Sequence, residues 1–331
     1  MNIINYTQPT FYQSKYNNTP KINTSFKGHG GTELLELGKD ALLLRHETSF
    51  FREYNTLNKS INYLRQHFPN ERNPKIIVGA CSTGEEALSI KMLMPDKKPQ
   101  ILGFDIGPNS IEEAKSGVYT ISQPKDDTSK EYLAWRGFSA YKDEFLGFGN
   151  PKTRNQKILK NLFNNTFTQI SEDSTPGKTN PVKKFINKLR FLFFKDINPE
   201  FNDKIFALKD PKNTGCKFIQ GDIQHLDEIA PEGQAHAISF RNAIYHLLTT
   251  NNQSERIPKP VEEAEPILKQ VAKQINKALT KNGIFILGER EDKQLTDTKL
   301  LSKVFKENGF KEVAKTKNGY CNIWAKIKDV D

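Results

Sequence analysis

The segment Lys75–Ala80 (KIIVGA) constrains this chain more than any other. It is a short apolar run after Pro74 that gives way to the small-residue turn Cys81-Ser82-Thr83-Gly84 and then to a helix-like stretch from Glu85 to Met94, stopped by Pro95. A run without polar alternation is buried on both faces, as in a parallel strand, and parallel neighbours require helical crossovers. The rhythm repeats. Gln100–Phe104 (QILGF) ends at Asp105, and Ser110–Ser116 reads as a short helix closed by Gly117. Cys216–Ile219, Ala237–Phe240 and Gly283–Leu287 read as further strands, with a long amphipathic helix over Val261–Leu279 before the last. Lys311–Thr316 and Tyr320–Ile327 then form a hairpin pattern around Lys317-Asn318-Gly319. Together these predict an α/β fold: a doubly wound, seven-stranded, mostly parallel sheet whose ligand lies at the carboxyl ends of its central strands.

The flanks read differently. Residues 1–31 are rich in Asn, Thr, Gln and Lys without apolar period and are expected to form a disordered arm. The leucines of Thr32–Leu44 recur near helical spacing despite Gly38, and Phe50, Tyr54, Leu57, Ile61 and Leu64 mark a second helix over Phe50–Phe68, so 32–70 is expected to hold N-terminal helices. Residues 71–119 and 215–331 then make the ligand-binding domain. Residues 120–214 break the strand–helix rhythm and are expected to be an inserted basic subdomain, disordered in part. Between Pro151 and Lys212 there are thirteen Lys or Arg against six Asp or Glu, which supplies +7 of the net +10. Within it, Lys183–Lys195 (KKFINKLRFLFFK) has one apolar helical face ringed by basic residues, suited to an acidic helix or anionic lipid or to packing on this protein itself.

Several classes are excluded. No run approaches the roughly 18 apolar residues of a membrane span, and the N-terminus lacks the apolar core of a secretory signal. Cys81, Cys216 and Cys321 are widely spaced, and the six histidines are scattered, so no disulfide framework or metal site is expected. A cytoplasmic, monomeric protein is the expectation. The positive charge favours an acidic partner, but no basic-aromatic module for specific nucleic-acid recognition is present.

The turn Gly79–Glu86 is neither G-x-G-x-x-G nor a phosphate loop. Its two carboxylates repel a pyrophosphate and suit an ammonium or sulfonium. Ser82 to Glu85 and Thr83 to Glu86 are also capping-box spacings. Asp105 is placed to accept two ribose hydroxyls beside a nucleotide crevice, or simply to make an end-of-strand turn. Asp222 after the third strand can meet an adenine amino group or cap a short helix from Ile223.

These residues fall into blocks. Thr48-Ser49-Phe50-Phe51-Arg52-Glu53, Ala80-Cys81-Ser82-Thr83-Gly84-Glu85-Glu86-Ala87-Leu88-Ser89-Ile90, Phe104-Asp105-Ile106, Ala114-Lys115-Ser116-Gly117-Val118-Tyr119 and Phe240-Arg241-Asn242 occur in that order. In them the chain resembles the CheR-type chemotaxis-receptor methyltransferases, which use S-adenosylmethionine (SAM) to esterify glutamate side chains on receptor helices. The resemblance implies a Rossmann-like SAM-methyltransferase fold, SAM as cofactor and an acidic protein substrate such as a chemoreceptor helix. It implies that Thr48 and Arg52 contact the methionine part and the reaction site, Glu85 the amino end, and Asp105 the ribose, with Ala80 and Ile106 in the same cofactor-binding blocks. Asp222 and Ile223 stand where the family has an Asn-Leu pair near adenine, and Arg241 and Asn242 match its Arg-Asn pair.

The sequence also departs from that pattern. Where the family has a tyrosine four residues after the asparagine, this chain has His246, with Tyr245 one place earlier, so both are candidate catalytic residues beside Arg52. Either Tyr245 is core and His246 faces the site, or the loop adjusts. His46 replaces an asparagine, the N-terminal helical domain is reduced or missing, and the insertion is longer than the family's β-subdomain. The leading reading is protein-glutamate O-methylation. The others are an RNA or small-molecule methyltransferase of the same fold and a catalytically silent SAM-binding regulator.

Overall fold

The computed structural model describes residues 24–25, 31–37, 40–46, 48–124, 154–170, 201–251, 256–289, 291 and 298–330. The expected arm is largely, and the basic helix at 183–195 wholly, outside the described residues. In chain order the elements begin with β1 (Thr24–Ser25), β2 (Gly31–Leu37), β3 (Asp40–His46), α1 (Tyr54–His67), β4 (Lys75–Gly79), α2 (Glu85–Leu93), β5 (Gln100–Asp105) and α3 (Pro108–Ser116). The middle of the chain gives β6 (Val118–Pro124), α4 (Arg154–Thr166), β7 (Phe167–Ile170), β8 (Phe201–Leu208), β9 (Cys216–Gln220), a 3-10 turn at Ile223–His225 and α5 (Leu226–Ile229). Then come β10 (Ala235–Ser239), α6 (Ile244–Leu247), β11 (Thr249–Asn251), β12 (Arg256–Pro258), α7 (Val261–Ala278), β13 (Leu279–Ile286), α8 (Thr298–Glu307), β14 (Phe310–Lys315) and β15 (Cys321–Lys326).

The central sheet has seven strands in the order β14-β15-β13-β10-β4-β5-β9. Strands β13, β10, β4, β5 and β9 run parallel, and β15 pairs antiparallel with both β13 and β14. This is the doubly wound sheet that the apolar runs predict. Alternate strand residues feed its two faces. Ile77, Leu102, Ile238 and Phe285 pack with α7 and α8, whereas Ile76, Val78, Ile101 and Ile284 pack with α1, α2 and α3. The chain leaves β4 toward β5 on one side and returns through β10 on the other. The strand order therefore reverses between β4 and β10, where a ligand crevice opens above their carboxyl ends.

Residues 32–37 and 40–44 depart from expectation. They are not a helix: β2 and β3 pair antiparallel, Leu34 opposite Leu43 and Leu35 opposite Leu42. Gly38 splits the leucine pattern into two seven-residue pieces, too short to hold as helices without a packing partner. Cross-strand pairing satisfies their backbone instead. The described part of the insertion forms a second sheet, β6-β8-β7, with α4 beside it. Its Leu159, Phe163, Phe167 and Phe206 share one apolar cluster with Phe50 and Phe51 of the segment before α1. Phe50 meets Tyr119, Phe163 and Phe167 edge-on with ring centroids 5.1–5.2 Å apart. Thus the insertion docks directly on the stretch that carries Thr48 and Arg52.

Candidate active site

A cavity of about 280 Å³ lies over the tips of β4, β5, β9 and β10. The β4–α2 turn brings Ala80, Cys81, Ser82 and Glu86, and β5 ends in Phe104, Asp105 and Ile106. From β9 come Gly221, Asp222, Ile223 and Gln224, and from β10 Phe240, Arg241, Asn242 and Ala243. Thr48, Ser49 and Arg52 close it from the segment before α1, while His246, Leu247 and Lys259 form the remaining wall. Among the described residues, five of the six non-glycine residues with positive φ are at or beside this cavity: Phe51, Glu53, Ala80, Ser82 and Asn242. Each such conformation costs on the order of 1 kcal/mol or more and persists only where surrounding structure enforces it.

Asp105 is buried, with each carboxylate oxygen facing one backbone N–H. The Ser82 amide donates to Oδ2 at 2.8 Å and the Gly107 amide to Oδ1 at 2.9 Å. A carboxylate has about four acceptor sites, and this one lines the cavity, where it can accept from a ligand's hydroxyls. Asp222 accepts from the Gln224 amide at 2.9 Å and caps the following turn, while still lining the cavity. Burial first, and then the carboxylates of Asp105 and Glu86, push the Cys81 thiol well above its ordinary range, so it is no nucleophile.

Arg241 is the post on which the site stands. Both its Nη atoms donate to the Arg52 carbonyl at 2.9 Å, its Nε donates to Glu86 at 3.0 Å, and Nη1 lies 3.5 Å from Glu53. Glu86 also accepts from the Ser239 hydroxyl, and Glu53 accepts from the Glu289 amide at 3.0 Å. This holds the backbone of Arg52, whose side chain lines the cavity, against the tip of β10.

Two of the residues named from sequence lie elsewhere. Glu85 is buried away from the cavity and accepts from the Thr83 hydroxyl at 2.6 Å. Gly84, in a left-handed conformation with φ of 92°, starts α2 in a register that turns Glu86 to the cavity. Tyr245 belongs to the apolar core, and His246 faces the site. Thr48, Arg52, Ala80, Asp105, Ile106, Asp222, Ile223, Arg241 and Asn242 all line the cavity. Sequence reasoning did not single out Ser49, Gln224 or Lys259, and it read Glu86 as one of the turn's two carboxylates, suited to a cationic ligand or a cap, while assigning the cofactor's amino end to Glu85.

Behind the Asn242 turn, Glu291 is fully buried and accepts from the Ala243 amide at 3.1 Å. Loss of hydration raises its pKa to about 8 against the opposing pull of nearby amides. Its folded pKa exceeds the unfolded value of 4.5, so its stabilising effect is complete below that value and is lost as pH climbs through about 8. Glu291→Gln keeps an acceptor for the Ala243 amide. The variant is expected to resist urea better than the parent at pH 9 and to match it more closely at pH 6.

The cavity fits SAM. Ser49 Oγ and Ser82 Oγ are buried without a hydrogen-bond partner among the described residues, and both residues line the cavity. Unpaired buried hydroxyls beside a doubly anchored carboxylate suit the polar groups of an adenosyl amino acid.

Residues 46–137 match the family model described as "CheR methyltransferase, SAM binding domain". No curated protein matches the chain. Solved structures similar in outline include the DszA carbon methyltransferase, at 10% identity and a TM-score of 0.39 over 82% of this chain and 52% of that one. A SAM-dependent methyltransferase from Methanosarcina mazei gives 12% and 0.27 over 80% and 77%. The antibiotic-resistance methyltransferase Kmr gives 10% and 0.34 over 89% and 99%. The chain thus spans about half the length of the first of these. The matched residues, the doubly wound sheet and the cavity over its strand tips converge: residues 46–137 are similar to the SAM-binding domain of CheR-type methyltransferases.

Proposed function

We propose that this methyltransferase acts on carboxylate side chains, glutamate foremost, of an acidic protein partner such as a receptor helix. The observation that supports this is the state of the cavity's acids. Glu86 is held by Arg241 and Ser239, Asp105 by two backbone amides, and Asp222 by the Gln224 amide. None is disposed to take a proton from an acceptor. A carboxylate acceptor needs no base, because it arrives ionised.

When bound, SAM supplies a methyl group made electrophilic by its sulfonium. Asp105 holds the sugar, and Asp222 and Gln224 face the base end. The Arg52 guanidinium holds the acceptor carboxylate by charge-assisted hydrogen bonds and offsets part of its desolvation. The Arg241 clamp on the Arg52 carbonyl fixes that alignment, which is the main source of rate for such a transfer.

His246 favours a second reading. An imidazole on the wall can take a proton from a neutral acceptor, as an RNA or small-molecule methyltransferase would require.

Incubation with methyl-labelled SAM and cell lysate, followed by alkali, distinguishes these. Label released from protein by base supports a carboxyl ester. Base-stable protein label overturns the proposal, label in RNA or a small molecule overturns it in favour of the second reading, and binding without transfer marks a silent regulator. Arg52→Ala is expected to lower turnover by about tenfold to a hundredfold, with SAM affinity by calorimetry changing far less.

A further inference from the structure

Lys259 lies outside every motif block, yet it lines the cavity beside His246 and Leu247. It is brought there by a detour. Strands β11 and β12 pair antiparallel, Thr249 opposite Pro258, and the Lys259 amide donates to the Leu248 carbonyl at 2.8 Å. The hairpin thereby returns the chain to the end of α6 and fixes Lys259 at the cavity wall immediately before α7. The residue is half-buried, and among the described residues its side chain has no ion-pair or hydrogen-bond partner. The acids of the cavity are engaged elsewhere, as described above.

An ammonium held on a cavity wall, with no partner among the described residues, is placed to make a charge-assisted hydrogen bond to an anion that a ligand supplies. The cofactor is a poor source. At neutral pH, SAM carries an ammonium, a sulfonium and a single carboxylate, so its net charge repels a lysine. The acceptor remains.

We propose that Lys259 is a specificity-determining residue that binds an anionic group of the methyl acceptor, selecting acidic substrates at the His246 wall while Arg52 holds the reacting carboxylate. This deepens the carboxylate reading and rests on it.

The test uses glutarate as a mimic of a glutamate side chain. It is titrated by calorimetry into the protein saturated with S-adenosylhomocysteine, comparing the parent with Lys259→Met and Lys259→Arg. Glutarate affinity is expected to fall about tenfold in Lys259→Met and to stay near the parent in Lys259→Arg. S-adenosylhomocysteine affinity is expected to be equal in all three, which also reports that the variants are folded. Equal glutarate affinity in Lys259→Met overturns the proposal, as does a parent that binds no glutarate. A drop in S-adenosylhomocysteine affinity in Lys259→Met also overturns it, since that makes Lys259 a cofactor ligand. If glutarate binding depends on Lys259 while the lysate experiment yields only base-stable label, the glutamate reading falls and the anion subsite stands.

Discussion

Asp105→Ala is expected to weaken SAM binding by about two to four orders of magnitude. Each hydrogen bond from a ribose hydroxyl to an ionised carboxylate is worth roughly 1.5–3 kcal/mol, and about 1.4 kcal/mol corresponds to a factor of ten. Two such bonds are at stake. The substitution also removes the acceptor shared by the Ser82 and Gly107 amides, so the β4–α2 turn and the start of α3 lose their common anchor. Asp105→Asn keeps an oxygen for one amide and is expected to fall between the parent and Asp105→Ala. Calorimetric titration with SAM reads the effect, with thermal melting alongside to show that the variants remain folded. An Asp105→Ala protein that binds SAM as tightly as the parent would mean that the sugar does not sit at the tip of β5.

The second large effect is structural. Arg241→Met is expected to lower stability by about 3–5 kcal/mol, because the guanidinium is buried between Glu53 and Glu86 and its removal leaves both carboxylates without their shared cation. For a chain of this size that corresponds to a fall in melting temperature of roughly 10 °C. The Arg52 carbonyl loses both Nη donors at the same time, so turnover falls along with stability. Differential scanning calorimetry with and without SAM is the measurement. A variant that melts within about 2 °C of the parent would show that Arg241 is a wall residue and not a post.

The sheet was legible because its central strands are buried on both faces. KIIVG and QILGF carry no polar alternation that could be confused with an amphipathic helix, and Pro74 and Pro95 mark the limits of the first unit. The leucines at 32–44 had no such guard. Their spacing satisfies a helix, and only the pairing of one half with the other decides for strands. Asp105 was readable because a strand end fixes where its last side chain stands. Glu86 was harder. A single left-handed glycine at position 84 sets the rotation of α2, and a shift of one residue moves a helical side chain by about 100°. Lys259 gave no local signal. Its place depends on a hairpin closing ten residues upstream, and a lone lysine after a proline resembles any solvated turn.

The rings of Phe50 and Phe51 interlock with those of Phe163, Phe167 and Phe206 across the boundary between the two sheets. A partner that grips the inserted region therefore pulls on the same short stretch of backbone that presents Arg52. Grafting that region into a relative, or exchanging it to redirect target choice, must carry Phe50 and Phe51 with it as part of the transplanted unit.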